Sequence, residues 1–174
     1  GGVGSYAVQM AKAVGAHVVA VCGPTNQELC RSLGADDVID YKSENFEDHH
    51  DRYDVIYDVI GRSSPKKCRR ALKKNGRYVS TIPSPGMLAQ AWISKFTRLF
   101  GLRKRQTVHL ILVKPEGKDL AEMAELIVNK QMKSLIDSTY PLEEAATAFE
   151  KIQSWRARGK VIIQLPDPKA ENEA

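Results

Sequence analysis

The sequence predicts an α/β chain, a Rossmann-type doubly wound parallel sheet. Three observations lead to this class: a glycine-rich turn opens the chain, short β-branched segments recur along it, and amphipathic helical segments separate them. Strands that alternate with helices favour right-handed crossovers and therefore a parallel sheet. With 174 residues, 43% of them hydrophobic and 27% charged, the chain has the composition of one globular domain.

The first elements follow directly from local patterning. Apolar residues recur at helical spacing from Tyr6 to Val14, and Gly15 ends this helix. His17 to Cys22 is a β-branched run typical of a strand buried on both faces. A second helix is predicted from about Thr25, and Gly34 stands where a helix C-terminus favours a left-handed residue.

The same alternation continues to the end of the chain. Further strands are predicted at Val38–Asp40, Tyr53–Val59 (buried), Arg77–Ile82, Val108–Val113 and Lys160–Leu165. Helices are predicted at Pro65–Lys74, Gly117–Asn129 and Leu142–Trp155, and an irregular segment at Pro83–Gln106. The expected organisation is one nucleotide-binding domain over residues 1–165 and a polar, disordered tail over residues 166–174.

The opening glycines are the second half of a dinucleotide-binding fingerprint. A pyrophosphate must approach the backbone closely and lie against the free N–H groups at a helix N-terminus, which side chains would obstruct. A tight strand-to-helix turn uses the same residues, so the placement of Gly1–Gly4 before a helix–strand series carries the prediction.

The end of the next strand indicates which cofactor is preferred. A domain that prefers NAD has Asp or Glu there to bind the ribose hydroxyls. This chain has Cys22 and then Gly23, with Thr25 and Asn26 close behind, so no carboxylate would repel a 2′-phosphate and NADPH is favoured. Thr25 could equally be a helix N-cap, and both roles can coexist.

The cysteines and the charge restrict other functions. Three cysteines and the adjacent His49 and His50 lack the spacing of a zinc site, so no metal is expected. The net charge of +5 is concentrated in two clusters, at residues 66–77 and 95–105. We interpret these clusters as solvated surface rather than as a site for nucleic acid or membrane, while a role in binding a polyanion stays an alternative.

Several motifs together resemble one family. They are GGVGSYAVQMAKAVGAHVVAVC at the start, LGADDVIDYKSENF and YDVIYDVIG in the middle, GRYV at 76–79, YPLEEA at 140–145 and ARGKV at 157–161. The chain is thereby similar to the medium-chain dehydrogenase/reductase superfamily, in its zinc-free quinone oxidoreductase branch. The VCGPTNQELCRSLGADDVIDYKS stretch is similar to the subgroup of the reticulon-4-interacting mitochondrial reductase.

This resemblance implies the cofactor-binding part of a two-domain enzyme. The first Rossmann strand and an N-terminal GroES-like catalytic domain would lie outside this sequence, so the chain alone is expected to be inactive. By position, the pyrophosphate would meet Gly2, Val3 and Gly4, and the 2′-phosphate would meet Gly23, Thr25, Asn26 and Tyr41. Toward the nicotinamide lie Val59, Ile60, Gly61, Ile82, Pro83, Leu112 and Val113, and Lys160 would touch a phosphate.

The expected function is NADPH-dependent transfer of hydride to a quinone, enone or other carbonyl compound, with no catalytic residue assigned. A homodimer through the sheet edge and a cytoplasmic or mitochondrial location are further expectations from the resemblance. The alternative function is that of a non-catalytic, nucleotide-gated binding protein that uses its basic clusters to hold RNA, membrane or protein.

Overall fold

The computed structural model describes residues 1–83, 106–112 and 114–166. The fold is α/β, and the described strands form small sheets in which parallel pairing recurs. The chain divides into two compact units, one of Gly1–Val38 with Gly117–Ala174 and the other of Ile39–Glu116. Most of the predicted irregular segment at Pro83–Gln106 and of the predicted tail lies outside the described residues.

Four helices and seven strands are described. The helices are α1 Gly2–Ala13, α2 Gln27–Ser32, α3 Gly117–Val128 and α4 Ala145–Gln153. The strands are β1 Val19–Cys22, β2 Asp37–Asp40, β3 Tyr53–Asp58, β4 Leu72–Ser80, β5 Thr107–Leu110, β6 Ile136–Pro141 and β7 Lys160–Gln164. Short 3-10 turns occur at Pro24–Asn26, Phe46–Asp48, Lys67–Arg69 and Leu142–Glu144.

In the first unit, a buried glutamine anchors helix α1. The Gln9 side chain is 5% exposed, and its amide pairs with the backbone of Lys133 as a neighbouring strand would. The Gln9 amide nitrogen donates to the Lys133 carbonyl at 3.1 Å, and the Gln9 oxygen accepts from the Lys133 N–H at 2.8 Å. Tyr6 and Ser134 add a hydroxyl–hydroxyl bond of 2.6 Å. These bonds fix the N-terminal half of α1 beside the segment that leads into β6.

Strands β6 and β7 pair in parallel, with Tyr140 opposite Ile163 and Ile136 opposite Lys160. Helix α4 packs against both strands. The sequence patterning did not predict β6, and the helix predicted from Leu142 begins as a 3-10 turn and becomes α4 only at Ala145. The β6 strand was missed because its mixture of polar and aromatic residues lacks a simple period of two.

In the second unit, β3, β4 and β5 form a parallel sheet in that order. Its core consists of Ile56, Cys68, Ala71, Leu72 and Tyr78, with partly buried hydrophobic residues packed against it. The loop that precedes β3 is tied to this core, since Asp51 and Arg52 donate their N–H groups to the carbonyls of Arg70 and Ala71.

The helix predicted over Pro65–Lys74 is wrong: a 3-10 turn at Lys67–Arg69 is followed by β4, which begins at Leu72. The carbonyls that such a helix would use are engaged elsewhere. The Gln106 amide nitrogen donates to the carbonyls of Arg69, Leu72 and Lys73 at 3.1, 2.8 and 3.0 Å. Tertiary hydrogen bonding has therefore overridden the helical pattern.

Two strands are less buried than predicted. In β1 only Ala20 is buried and Val21 is 42% exposed, because β1 pairs with β2 alone among the described residues. In β3 only Ile56 is buried, while Val55 and Tyr57 on the opposite face are 55% and 39% exposed. Within each unit, therefore, one face of these strands carries the core contacts and the other does not.

Candidate cofactor-binding site

The glycine turn forms the N-terminus of α1 in the structure. Gly1 is the N-cap and has no side chain with which to cap the helix, and no acidic residue lies in the first turn. The first hydrogen bond of the helix runs from Ser5 N–H to the Gly1 carbonyl at 3.1 Å. The N–H groups of Gly2, Val3 and Gly4 precede it, and such first-turn groups have no partner within a helix. Together with the positive end of the helix dipole they suit an anion.

A lysine lies beside this turn. A Cβ atom added at Gly2 would stand 3.7 Å from the Lys160 ammonium nitrogen, which also lies 5.4 Å from the centroid of the Tyr6 ring. Lys160 is held by its backbone N–H, which donates to the Leu135 carbonyl at 2.7 Å. The Lys160 ammonium therefore lies at the N-terminus of α1, which itself favours negative charge. These two features together favour a bound anion rather than an ion pair within the chain.

Two arginines accompany Lys160, and sequence reasoning missed them. A Cβ atom at Gly1 would lie 3.6 Å from the Ala157 carbonyl, so the segment that includes Arg156 and Arg158 passes the glycine turn. Both arginines line an open cavity of about 620 Å³ together with Leu29, Leu135, Ile136, Asp137, Ser138 and Lys151. The signal was available in the sequence, as basic residues at the alternate positions 156, 158 and 160.

The one carboxylate in this cavity is already engaged. Asp137 accepts from the Arg158 N–H at 2.8 Å and lies 3.3 Å from the Lys151 ammonium, with its side chain 8% exposed. The backbone bond from Arg158 is the main cause that lowers the pKa of Asp137. Asp137 is thus ionised and paired with Lys151, and the positive charge of Arg156 and Arg158 faces the cavity.

The predicted 2′-phosphate residues of the first unit occupy one turn. Gly23 is the N-cap of the Pro24–Asn26 turn, and Asn26 N–H donates to the Gly23 carbonyl at 3.0 Å. Thr25 lies inside the turn with an exposed side chain, so its expected role as a helix N-cap is wrong. Asn26 is the N-cap of α2 but makes no capping bond with its side chain.

The Oδ1 atom of Asn26 is buried and has no hydrogen-bond partner among the described residues. Because this oxygen has almost no exposed surface, a ligand would reach it only after the turn had moved. Tyr41, the other residue predicted near this end of the cofactor, follows β2 and is exposed.

The predicted nicotinamide-side residues meet at one edge of the second unit's sheet. Asp58, Ser80 and Leu110 lie in register at the ends of β3, β4 and β5, so the loops that follow emerge level with one another. A Cβ atom at Gly61 would lie 3.2 Å from Ile82 Cδ1, and Gly61 has a φ of +75°. Ligands of parallel α/β sheets bind outside the carboxyl ends of the strands.

These loops present apolar side chains to solvent. We call the set formed by Val59, Ile60, Ile82 and Leu112 the apolar rim; Ile60 is 55% exposed and Leu112 72%. Pro83 follows Ile82 and is exposed, whereas Val113 lies outside the described residues.

The turn after β3 is organised around Asp58. The Asp58 carboxylate accepts from the N–H groups of Ile60, Gly61 and Ser63 at 3.0, 2.7 and 3.1 Å. It also accepts from the Tyr78 hydroxyl at 2.8 Å. Burial would raise the pKa of Asp58, but these hydrogen bonds outweigh it and hold that pKa below its usual value. Asp58 thus positions the backbone of this turn, whereas Asp54 forms an exposed ion pair with Lys73.

A family model described as zinc-binding dehydrogenase matches residues 33–163. The chain belongs to this family. The predicted membership in the medium-chain dehydrogenase/reductase superfamily, in its quinone oxidoreductase-like branch, is thereby confirmed, and oxidoreductases of the family use nicotinamide cofactors. Among the described residues of this family member, no group of three or more His, Cys, Asp or Glu side chains is placed to hold a metal ion.

Curated relatives agree with the family. The chain is 34% identical over 168 residues to the chloroplast envelope quinone oxidoreductase homolog of Arabidopsis thaliana, covering 94% of this chain and 50% of that protein. It is 36% identical over 185 residues to the mitochondrial NAD(P)H oxidoreductase RTN4IP1 of Bos taurus, covering 95% of this chain and 46% of that protein. The chain thus spans about half the length of the relatives it matches.

Solved structures of the family share the fold. The quinone oxidoreductase from Coxiella burnetii superposes with a TM-score of 0.78 at 24% identity, covering 95% of this chain and 50% of that one. The predicted α/β Rossmann-type class is confirmed by this likeness. The described helices of this family member include none that is long and apolar enough to cross a membrane.

Proposed function

We propose that this chain is the cofactor-binding part of an NADPH-dependent oxidoreductase that transfers hydride to a quinone, an enone or another carbonyl compound. The observation that carries the proposal is the N-terminus of α1. Its uncapped glycine turn lies beside the Lys160 ammonium, which would stand 3.7 Å from a Cβ atom at Gly2. This arrangement suits the pyrophosphate of a dinucleotide.

The preference for NADPH over NADH rests on the Gly23–Asn26 turn. No carboxylate follows β1 there, and the exposed Thr25 hydroxyl can donate to a 2′-phosphate. The guanidinium groups of Arg156 and Arg158 add positive charge in the same unit. The name of the bovine relative, an NAD(P)H oxidoreductase, is compatible with this preference.

The chemistry of the reaction would be supplied by the bound nicotinamide, which delivers hydride to the acceptor carbon. The residues of this chain would bind and orient the cofactor. Gly2, Val3 and Gly4 would hold its pyrophosphate with backbone N–H groups, assisted by Lys160. The apolar rim would exclude water on the nicotinamide side, where hydride transfer demands close approach of the reacting carbons.

The acceptor class comes from the quinone oxidoreductases among the relatives. We extend the proposal to a homodimer formed through an exposed sheet edge. We further propose an organelle as the compartment, since the relatives are named as chloroplast or mitochondrial proteins. The tyrosines of β3 are not assigned a catalytic role, because the Tyr53 hydroxyl is bonded to His49 Nδ1 at 2.6 Å.

The proposal is tested by titrating the chain with NADPH and with NADH while the nucleotide fluorescence is followed. We expect saturable binding that is tighter for NADPH. The Lys160→Met variant should weaken binding of both nucleotides by about 10- to 100-fold, because a charge-assisted bond to phosphate contributes roughly 1.5–3 kcal/mol.

The matched control is Lys118→Met on α3, which removes the same charge from a side chain that is 82% exposed. Its affinities should equal those of the unmodified chain. A chain that is folded by circular dichroism but binds neither nucleotide would contradict the proposal. If Lys118→Met weakened nucleotide binding as much as Lys160→Met, Lys160 would have no specific role and the proposal would lose its main support.

A further inference from the structure

The turn after β3 resembles a phosphate-binding loop in its converging backbone N–H groups. The carboxylate of Asp58 already accepts hydrogen bonds from these groups. Three backbone N–H groups, those of Ile60, Gly61 and Ser63, converge on Asp58 within 3.1 Å. Converging backbone N–H groups of this kind form an anion-binding concavity in other proteins. Since Asp58 already supplies the anion, the turn has no capacity left for a phosphate of the cofactor.

The two oxygens of Asp58 have different partners. Oδ1 accepts from Ile60 and Gly61, so it holds the turn that carries the apolar rim. Oδ2 accepts from Ser63 N–H and from the Tyr78 hydroxyl. Tyr78 belongs to β4 and is 1% exposed, so one carboxylate joins the turn after β3 to the buried core beside it.

This link determines where the rim residues stand. With the turn held on Asp58, Gly61 adopts a φ of +75° and lies so close to Ile82 that an added Cβ would be 3.2–3.4 Å from three Ile82 carbons. Ser63 reinforces the arrangement, because its hydroxyl donates to Glu47 Oε1 at 2.5 Å. Gly61 in the turn after β3 and Ile82, two residues after β4, are thereby fixed relative to each other.

We propose that Asp58 is a positioning residue that sets the affinity of the site for the nicotinamide half of the cofactor, by holding the apolar rim through the turn at residues 59–63. This inference rests on the proposed function. The four hydrogen-bond partners of the Asp58 carboxylate are all groups of the chain, so we expect it to act on the cofactor through the turn. Its effect should therefore fall on the nicotinamide half of the ligand rather than on the adenosine phosphates.

The test compares two ligands, NADPH and 2′,5′-ADP, which carries the adenosine phosphates but no nicotinamide. In Asp58→Asn the side chain keeps its shape, but one carboxylate oxygen becomes an NH2 group that cannot accept from a backbone N–H. At least the bond from Ser63 N–H is lost, whereas the Tyr78 hydroxyl can reverse its role and accept. We expect NADPH to bind about tenfold more weakly, since small misplacements in a site carry penalties of this order. Binding of 2′,5′-ADP should change less than about twofold, within the effect of a remote surface change.

Asp54→Asn is the matched control, because Asp54 lies in the same strand with its side chain 78% exposed and should leave both affinities unchanged. Tyr78→Phe is the second variant; it keeps the carboxylate and the three N–H bonds but removes the link to β4. It should weaken NADPH alone, by about threefold, as expected for the loss of one of several bonds. This variant decides the question if Asp58→Asn does not fold.

Two results would overturn the inference while leaving the proposed function intact. One is unchanged NADPH affinity in the folded variants, and the other is an equal loss for both ligands, which would indicate a general structural effect. If the unmodified, folded chain bound neither ligand, the proposed function itself would fail and this inference with it.

Discussion

The burial of Cys68 predicts that the free energy of unfolding changes with pH in the alkaline range. It is fully buried, its sulfur lies 3.0 Å from the Ser63 hydroxyl, and burial raises the pKa of its thiol from 9.0 to about 11. The unfolded chain therefore loses this proton at lower pH than the native chain does. The contribution to the free energy of unfolding is complete below pH 9 and is lost as the pH rises through about 11.

We expect the midpoint of urea unfolding to decrease between pH 9 and pH 11. Cys68→Ala should flatten this decrease, although the variant is less stable at every pH because it leaves a cavity. Cys30→Ala is the control, since Cys30 is only partly buried, and it should retain the decrease. If the urea midpoint changed with pH in the same way in all three chains, the thiol of Cys68 would not be buried in the core as the structure shows.

Some residues of the candidate site were predicted from the sequence and others were not. Lys160 and Gly2 were predicted from the resemblance, and the structure brings them together. Arg156 and Arg158 were not predicted, because their importance comes from the contact of Ala157 with Gly1, which is a feature of the folded chain. The bond of Asp58 to Tyr78 depends on the register of β3 with β4, which the local sequence does not contain.

At the scale of elements, the turn into β7 depends on Gly159. A Cβ atom there would be 2.3 Å from the Leu135 carbonyl oxygen, which is backbone and cannot rotate away. Gly159→Ala should therefore lower the free energy of unfolding by about 2–3 kcal/mol, the upper range for overpacking. Because Lys160 N–H donates to the same carbonyl, the substitution should also weaken NADPH binding.

Gly117→Ala is the matched control, since nothing lies within 4 Å of a Cβ at that position in α3. It should be neutral or stabilise the chain by about 0.5 kcal/mol, as alanine favours helix over glycine. Urea denaturation of both variants gives the comparison. Equal stabilities would mean that the turn into β7 can relax more than the close contact at Leu135 implies.

Elements were predicted best where the pattern was local and worst where partners were distant. Helix α3 matches its predicted span within one residue, since it has a clear apolar stripe. Helix α1 ends near the predicted residue but begins at Gly2, four residues before the apolar stripe. The predicted Pro65–Lys74 helix failed because its carbonyls bond to Gln106 and to the loop before β3, more than 15 residues away in each case. No window of local sequence contains those partners.

At the scale of the whole chain, the family and fold were the most secure predictions. Several motifs spread over residues 1–165 resemble one superfamily, and the matched region of the family model lies within that range. The division into two compact units was not predicted, because the strand–helix alternation continues without a linker. The division depends on which segments pack together in the folded chain. Strands β6 and β7 belong to the same unit as helix α1, although they lie far from it in the sequence.

The positive charge of the chain allows the alternative function to be tested. The cations of residues 66–77 are exposed, and they are Lys66, Lys67, Arg69, Arg70, Lys73, Lys74 and Arg77. No exposed large hydrophobic residue lies between Ile60 and Ile82. Such a surface attracts phosphates through charge alone, without stacking or apolar contacts.

We therefore expect a short DNA or RNA duplex to bind only at low ionic strength and to dissociate at about 0.15 M salt, where screening extends over about 8 Å. A triple substitution, Lys66→Gln with Arg69→Gln and Lys74→Gln, should reduce the slope of log affinity against log salt by about three. Lys73 is left in place because it pairs with Asp54 at 2.7 Å. Fluorescence anisotropy of a labelled duplex measures both quantities. Binding that persisted at 0.15 M salt and was displaced by NADPH would instead support a nucleotide-gated binding protein, because solvated charges alone produce neither property.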